Sequence, residues 1–482
     1  MSERTEWADV SGRTKRLRLG LAGLIGALGA LAVEAPAAAN GNHVHLWVAV
    51  DAVGSVEDAE LADLLAEPEL LETLRNGSNF PDGGYAVGDG YGEMGHWEPF
   101  QKRYLEWIRD NYGPPWSDEG KKHVAFLLGM AAHGMTDQLF DGMYLERHYV
   151  FDENSASAEW GNIDGVTDVC FAAKVGPVQP PETWVPADVL AELYAEAGHQ
   201  VAAATIETGQ SLVAVAVMYS NDKSSDEGTV SKYMELYPWA CGRMDDPLVP
   251  GAPVTMGPAI AKYWEELWAR LNGDESFAQP LLGTWFGKGE PWEQPRDAGS
   301  PDSWVSFAMP RGIDKGTLTE QSVAIVGPGG IPHPVTLQLY YGHASHLVNI
   351  RPNEDWAEAA DYTVTISAPL ASWDGAVLEG TREFAFSTGP APSVEDVGLD
   401  GDALGGDAID TDARESGSGK DAAGSGPCID GTGKACGHNS ASGCSVGGVG
   451  GMRGGTGGVG CWMVLLAATV LAIAALVARR AE

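Results

Sequence analysis

The sequence predicts a chain of several domains: an all-α domain, then a small all-β sandwich, a disordered tether and a C-terminal transmembrane segment. Three observations predict this order. Apolar residues recur at intervals of three and four up to about residue 272, which is the spacing of amphipathic helices. Short alternating runs separated by glycine, proline and asparagine follow from about 298 to 389, which is typical of strands. Beyond 390, glycine and aspartate dominate up to an apolar run near the end.

Residues 1–39 form a predicted export signal. Basic residues between Arg13 and Arg18 precede an apolar run from 19 to 33, and small residues at 37–39 follow as a cleavage site. We therefore expect an exported protein whose mature chain begins at Asn40.

Residues 40–290 form the predicted all-α domain, with its helical periodicity seen best at 187–199, 201–219 and 260–271. Its two cysteines, Cys170 and Cys241, are expected to pair in an oxidising compartment. A second pairing, Cys428 with Cys436, is expected in the tail.

Residues 298–389 form the predicted all-β sandwich. Its expected strands are at 304–307, 322–326, 335–341, 362–366 and 383–386. The Asn349–Pro352 stretch and the closing Phe384–Thr388 resemble the immunoglobulin-like modules of bacterial surface proteins. The resemblance implies a spacer or adhesive unit, and no chemistry is assigned to it.

Residues 390–460 are predicted to be a disordered tether, because they carry too few apolar residues to offset the backbone entropy of folding. Residues 461–482 form the predicted transmembrane tail. Its apolar run of about 18 residues is near the minimum for spanning a bilayer and is followed by Arg479 and Arg480.

The end of the tether contains Gly443-Cys444-Ser445, a glycine tract, one apolar helix and two arginines, and it resembles the myxobacterial C-terminal sorting tail. The resemblance implies recognition by a sorting protease, retention at the cell surface, and processing or lipidation at Cys444. A plain single-pass anchor is the alternative, and it predicts the same cell-envelope location.

The composition disfavours one class of partner. The chain has 30 lysines and arginines against 67 aspartates and glutamates, which gives a formal net charge of -37. Such a chain repels phosphate backbones, so we do not expect nucleic acid as a partner.

Potential metal ligands cluster in the first part of the all-α domain. His133 and Asp137 are four residues apart, so they share one face of a helix and can meet at one ion. His45, Asp82 and His96 are further candidates from other segments, with the last two on turn-rich stretches. Together they predict a polynuclear zinc site.

Several ordered blocks carry a more specific resemblance. Between about 40 and 168, the chain resembles the catalytic domain of glycosylphosphatidylinositol-specific phospholipase D, and at His45-Leu46-Trp47-Val48 also the zinc-dependent phospholipases C. The matching blocks are 76–82, 96–100, 104–112, 114–116 and 124–137.

The resemblance implies a ligand set. It implies that Asp82, His96, His133 and Asp137 hold a first zinc. It implies that the amine and carbonyl of Asn40, with His45 and a bridging Asp137, hold another. His43 replaces His45 if the register is off by two.

The chain departs from the family at the remaining site. Asp141 stands where the family has one histidine, and Trp160 beside Glu159 stands where it has the next; only the carboxylate position is kept, by Asp164, with Asp168 nearby. An all-oxygen site favours Mg²⁺, Mn²⁺ or Ca²⁺ over zinc. Either this third metal differs here, or it is absent.

The resemblance implies a metal-dependent hydrolase of phospholipid or glycosylphosphatidylinositol-like phosphodiesters. Asp82 is the candidate catalytic base, a role that competes with its role as a ligand. Two alternatives stay open: a single-strand nuclease of the same fold, and a non-catalytic surface protein in which the metals only staple helices together.

Overall fold

The computed structural model describes residues 41–152, 163–286, 303–341 and 344–389. This part is helical first and has a small β region after it, in the predicted order. The helices are α1 Asn42–Val53, α2 Ala59–Ala66, α3 Pro68–Val87, α4 Tyr91–Gly95, α5 Glu98–Asn111, α6 Asp118–Leu139, α7 Glu146–Phe151, α8 Ile163–Val175, α9 Ala187–Glu196, α10 Ala203–Ser224, α11 Glu227–Leu236, α12 Pro238–Arg243 and α13 Gly257–Leu271. The strands are β1 Gly283–Phe286, β2 Val305–Ala308, β3 Val323–Val326, β4 Val335–Leu339, β5 Leu347–Pro352, β6 Asp361–Ser367 and β7 Thr381–Ser387.

Helices α3 and α6 cross at the centre of the helical region, and glycine allows them to approach closely. A Cβ atom on Gly77 would overlap the carbonyl oxygen of Phe126, and one on Gly129 would overlap that of Leu74. The two backbones therefore touch where side chains would otherwise separate them. This close approach brings the side chains of both helices to one point.

Helix α1 lies inside the helical region rather than on its surface. His43, Val44, His45 and Leu46 are all buried. The first turn of the helix is capped from outside: the carboxylate of Asp168 accepts a hydrogen bond from the backbone N–H of Val44 at 2.9 Å. Such a cap satisfies a donor that has no partner within the helix.

Asp82 lies within a helix, whereas the sequence had indicated a turn there. Helix α3 continues through Pro81 from Pro68 to Val87. Proline cannot donate a hydrogen bond, so one bond within the helix is lost there. Helix α3 nevertheless persists, because its flank is packed tightly against α6.

A π-helical turn, Phe140–Leu145, follows α6 directly. The wider turn leaves a carbonyl oxygen available for other partners, and the carbonyl of Gly142 accepts a hydrogen bond from the side-chain amide of Asn349 at 2.9 Å. The turn thus becomes a docking point for the β region.

The β region consists of two antiparallel sheets around one apolar core. The four-stranded sheet has the order β1-β2-β5-β4, and the three-stranded sheet has the order β3-β6-β7. Along β6, Tyr362, Val364 and Ile366 are buried and alternate with outward residues, as expected for a sheet with one covered face. Strand β1 lies within the range predicted for the all-α domain, and β5 was not among the predicted strands.

Buried ion pairs join the helical and β regions. Arg270 of α13 contacts Glu98 at 2.8 Å, and the second oxygen of Glu98 accepts a hydrogen bond from the backbone N–H of Gly312 at 2.5 Å. Arg311 contacts Glu266 at 3.0 Å. These charges are buried and paired, so removing one partner would leave an uncompensated charge.

The structure joins Cys170 and Cys241 by a disulfide, with Cα atoms 5.2 Å apart. Within the described ranges, no helix has the length and hydropathy needed to cross a membrane. The predicted signal at 1–39, the tether at 390–460, the tail at 461–482 and Cys428, Cys436 and Cys444 lie outside the described residues.

Candidate metal centre

Side chains from four segments converge on one buried point. Helix α1 supplies His45, α3 supplies Asp82, and α6 supplies both His133 and Asp137. His96 immediately follows the last residue of α4. All five side chains are buried, and His133 and His45 are at most 1% exposed.

Asp137 lies at the middle of this cluster. Its Oδ1 is 3.3 Å from Nε2 of His45, and its Oδ2 is 3.2 Å from Nε2 of His96 and 3.5 Å from Nε2 of His133. The two oxygens of one carboxylate therefore face different imidazoles. Each oxygen would therefore be available to a different cation if two were bound.

Backbone carbonyls orient two of the imidazoles. Nδ1 of His133 lies 2.7 Å from the carbonyl oxygen of Ser78, and Nδ1 of His96 lies 2.6 Å from that of Gly92. Because each Nδ1 donates its hydrogen there, the Nε2 of the neutral imidazole keeps a lone pair directed inward. The two Nε2 atoms are 2.9 Å apart, so either a proton on one of them or a shared cation would hold them together.

Several polar atoms of the cluster have no hydrogen-bond partner although they are buried. They are both ring nitrogens of His45, Oδ2 of Asp82, and both carboxylate oxygens of Asp137. Buried polar atoms without a partner are rare, because each costs about 1–3 kcal/mol. A bound cation would satisfy these atoms, and this donor set of imidazoles and carboxylates is one that zinc accepts.

Two triads of the described residues bring their ligand atoms within 4.8 Å of one another: His45 with Asp82 and His133, and His96 with His133 and Asp137. These buried groups could hold metal. The triads share His133, and they divide the four residues that the resemblance had assigned to one zinc.

Burial and neighbouring charges perturb the titration of the cluster. Burial raises the pKa of Asp82 to about 6, although the charges of His45 and His96 act against it. Burial acts to lower the pKa of His96, but the carboxylate of Asp137, 3.2 Å from its Nε2, and the charge of Asp82 raise it to about 9.

The other two residues are perturbed in the direction that suits ligation. Burial lowers the pKa of His133 well below its usual value, so its imidazole is neutral. Burial acts to raise the pKa of Asp137, but the imidazoles of His133 and His45 hold it below its usual range. A neutral imidazole and an ionised carboxylate are the forms that bind metal.

The structure brings His45, rather than His43, into the cluster. Nε2 of His43 instead lies 2.9 Å from the carbonyl oxygen of Gly176. Asn40, whose amine and carbonyl were expected as ligands, lies outside the described residues, which begin at Gly41.

The expected all-oxygen site stays a prediction, because part of its candidate ligand set lies outside the described residues. Asp141 and Asp164 belong to neither triad, and Glu159 and Trp160 lie outside the described ranges. Burial and the charge of Asp137 raise the pKa of both Asp141 and Asp164 well above its usual value. Oδ2 of Asp141 accepts a hydrogen bond from the hydroxyl of Tyr341.

Two functional residues were not recognised from the sequence. Tyr341 of the β region donates a hydrogen bond to Asp141, which follows α6. No local sequence pattern indicates a contact between segments so far apart in the chain. Asp168 was noted only as lying near Asp164, yet its Oδ2 accepts a hydrogen bond from Ser220 at 2.5 Å while its Oδ1 caps α1, and it thereby fixes the helix that carries His45. The four-residue spacing between Asp164 and Asp168, which places both on one face of a helix, was the available signal.

Comparisons with known proteins give local similarity to one kind of enzyme. No protein-family model matches the chain. The chain is 36% identical to phosphatidylinositol-glycan-specific phospholipase D of Homo sapiens over 94 residues, which is 20% of this chain and 10% of that protein. It is 36% identical to the Dictyostelium discoideum enzyme over 71 residues, or 14% and 8%, and 32% identical to that of Bos taurus over 103 residues, or 20% and 12%.

The matched segments thus span about a tenth of the length of these relatives. This local similarity to phospholipase D hydrolases suggests hydrolase activity. Among solved structures, the S-layer protein rSbsC(31-844) aligns with 61% of this chain and 45% of its own, at 10% identity and a TM-score of 0.19.

Proposed function

We propose that this chain is an exported, surface-anchored hydrolase that uses bound zinc to cleave phosphodiesters of phospholipids or glycosylphosphatidylinositol-like lipids. The observation that carries the proposal is the buried cluster of His45, Asp82, His96, His133 and Asp137, in which polar atoms of His45, Asp82 and Asp137 have no hydrogen-bond partner among the described residues. The local similarity to phosphatidylinositol-glycan-specific phospholipase D supports the substrate class.

In this proposal the cluster holds two zinc ions. Bound zinc supplies Lewis-acid activation of water and neutralises charge on the phosphate. His96 and His133 present Nε2 to the ions because backbone carbonyls hold their Nδ1 atoms. A third ion at Asp141 and Asp164, whether Mg²⁺, Mn²⁺ or Ca²⁺, remains a proposal that metal analysis tests.

Asp82 is the proposed general base. Its Oδ2 has no hydrogen-bond partner, whereas its Oδ1 lies 3.7 Å from Nε2 of His133. One oxygen is thus free to accept a proton from water while the other faces the cluster. A base whose pKa lies near neutrality suits general-base work, and burial brings Asp82 to about 6.

The proposed anchoring follows from the sequence. The proposal includes export by the signal at 1–39, attachment to the membrane by the tail at 461–482, and processing by a sorting protease or lipidation at Cys444. The immunoglobulin-like character of the β region belongs to the same proposal.

A second function has one observation in its favour. The five residues of the cluster are all buried, with His133 fully so and Asp137 only 2% exposed, which is how structural metal sites are enclosed. On this alternative, the metals staple α1, α3 and α6 together in a non-catalytic surface protein.

One experiment separates the two. The chain is produced with Asn40 as its first residue, its metal content is measured by elemental analysis, and hydrolysis of phospholipid and glycosylphosphatidylinositol substrates is followed with and without chelator. The proposal expects about two zinc ions per chain and chelator-sensitive turnover. Stoichiometric zinc without turnover of either substrate would favour the non-catalytic alternative, in which the metals only hold the helices together.

A matched pair of variants controls the experiment. His133→Ala removes a ligand and should abolish zinc retention and turnover together. His123→Ala removes another buried histidine of α6 that does not belong to the cluster. Its Nδ1 lies 2.6 Å from the hydroxyl of Tyr104. It should keep its zinc. A His133→Ala variant with full zinc content would contradict the assignment.

A further inference from the structure

One carboxylate oxygen beside the metal centre has no partner, although it is buried. Asp141 is 6% exposed, and its Oδ1 makes no hydrogen bond within the described structure. Asp141 follows Asp137 by four residues, so it lies about one helical turn beyond the central carboxylate. Since no described residue supplies a donor to this buried oxygen, a bound molecule that carries one would satisfy it.

The other oxygen of Asp141 is fixed by the β region. Tyr341 donates its hydroxyl to Oδ2 of Asp141, and the ring of Tyr341 packs against Trp97 with centroids 4.8 Å apart. Trp97 immediately follows the proposed ligand His96. Asp141 thus lies four residues after the proposed ligand Asp137, and Tyr341 contacts the residue that follows the proposed ligand His96.

Residues of the β region on either side of Tyr341 in the sequence contact the end of α6 and the π-helical turn after it. The side-chain oxygen of Gln138 accepts hydrogen bonds from the hydroxyl of Ser345 at 2.9 Å and from the backbone N–H of His346 at 2.8 Å. A Cβ atom on Gly142 would overlap Leu347 and approach Tyr340, so glycine is what lets the β region come this close. The β region is thus held against the end of α6 by several contacts.

We propose that Oδ1 of Asp141 accepts a hydrogen bond from the alcohol portion of the phosphodiester, so that the protein selects head groups carrying an O–H or N–H donor. Tyr341 is the positioning residue that keeps this oxygen free by occupying the other. The inference rests on the proposed function and names its substrate class: a phosphodiester of a hydroxylated or primary-ammonium head group.

The physical reason for selection is the cost of an unpaired buried carboxylate. A head group with a donor forms a hydrogen bond to Oδ1, whereas a head group without a donor leaves Oδ1 buried with no hydrogen-bond partner. Sites built to bond a particular donor reject analogues that lack it much more strongly than apolar pockets reject analogues of the wrong size. A hydrogen bond to a buried oxygen that otherwise has no partner corresponds to a preference of about tenfold or more.

The test compares monomeric dihexanoyl phosphatidylethanolamine with dihexanoyl phosphatidylcholine. The two have the same net charge, but only the first has N–H donors. The zinc-loaded full chain should show kcat/KM at least tenfold higher for the first. Dihexanoyl phosphatidylinositol, whose donors are hydroxyls, distinguishes the two donor types.

Three variants locate the effect. Asp141→Asn presents an amide in place of one oxygen, and the preference should fall to near unity at unchanged zinc content. Tyr341→Phe should reduce the preference several-fold at full zinc content. Tyr104→Phe, which removes a hydroxyl bonded to another part of α6, should leave it unchanged.

Three outcomes would overturn the inference: equal kcat/KM for the two substrates in the unaltered chain, an Asp141→Asn variant that keeps the preference, or one that loses a metal ion. Calorimetric binding of phosphoethanolamine and phosphocholine to the zinc-loaded protein gives a readout without turnover. If the chain hydrolyses neither lipid, the proposed function fails, and tighter binding of phosphoethanolamine that Asp141→Asn abolishes would still support this role for Asp141. Equal binding would overturn it.

Discussion

Removing metal from the centre should destabilise the protein strongly, and the size of the effect follows from the unpartnered atoms. Without a cation, Nε2 of His45, Oδ2 of Asp82 and both oxygens of Asp137 are buried with no hydrogen-bond partner. At about 1–3 kcal/mol for each such atom, the four together cost about 4–12 kcal/mol. That is comparable to the whole free energy of unfolding of a typical domain, about 5–15 kcal/mol.

This free energy converts to a shift in melting temperature. With an unfolding entropy of about 2 cal/mol/K per residue, a folded region of roughly 320 residues loses about 1.5 °C per kcal/mol. Chelation should therefore lower Tm by about 6–18 °C. Calorimetry of the zinc-loaded chain before and after dialysis against chelator measures it, and returning zinc should restore the original Tm.

The control is the chain that already lacks a ligand. His133→Ala should melt at a lower temperature than the unaltered chain, and chelator should not lower it further. If chelation removes zinc from the unaltered chain, as elemental analysis would show, and Tm stays within 1 or 2 °C, then the unpartnered atoms are not what the metal satisfies and the reasoning fails.

Three other predictions test the centre and its support. Asp82→Asn should lower turnover at least a hundredfold; if zinc content is kept, Asp82 acts as base, and if zinc is lost, it acts as ligand. Because the pKa of His96 is raised to about 9, this imidazole is protonated at pH 7.5 in the metal-free protein. Zinc binding should therefore release about one proton at pH 7.5 and none above about pH 10. Calorimetry in buffers of different ionisation enthalpy measures the number of protons released. Gly129→Ala should lower the free energy of unfolding by at least 1–3 kcal/mol because its Cβ would overlap the backbone of α3, whereas Gly242→Ala, with open space around it, should change it little; equal denaturant midpoints would contradict this.

Local sequence patterns predicted what depends on local structure. His133 and Asp137 share a helix face because they are four residues apart, and this needs no knowledge of the rest of the chain. The helices α9, α10 and α13 were likewise predicted from their periodicity, with ends that differ from the structure by a few residues. Strand β5 was missed because nearly all of its residues are buried, so its sequence does not alternate.

Long-range geometry could not be predicted in this way. The convergence of His45, Asp82 and His96 on α6 was expected only from the family resemblance, since no periodicity relates segments that far apart. The contact of Tyr341 with Asp141 joins residues 200 positions apart and depends on how the β region is seated. The sequence left open whether the two regions touch at all.

The two triads cannot both use His133 as a ligand, because His133 has only one ring nitrogen available for a metal ion. Its Nδ1 is committed to the carbonyl of Ser78, so Nε2 can enter the coordination sphere of a single ion. If both proposed ions bind, the ion that gains His133 would have three protein ligands from its triad, and the other would have two. Competition with chelators of graded strength should therefore strip the chain in two stages, with the more exchangeable ion leaving first.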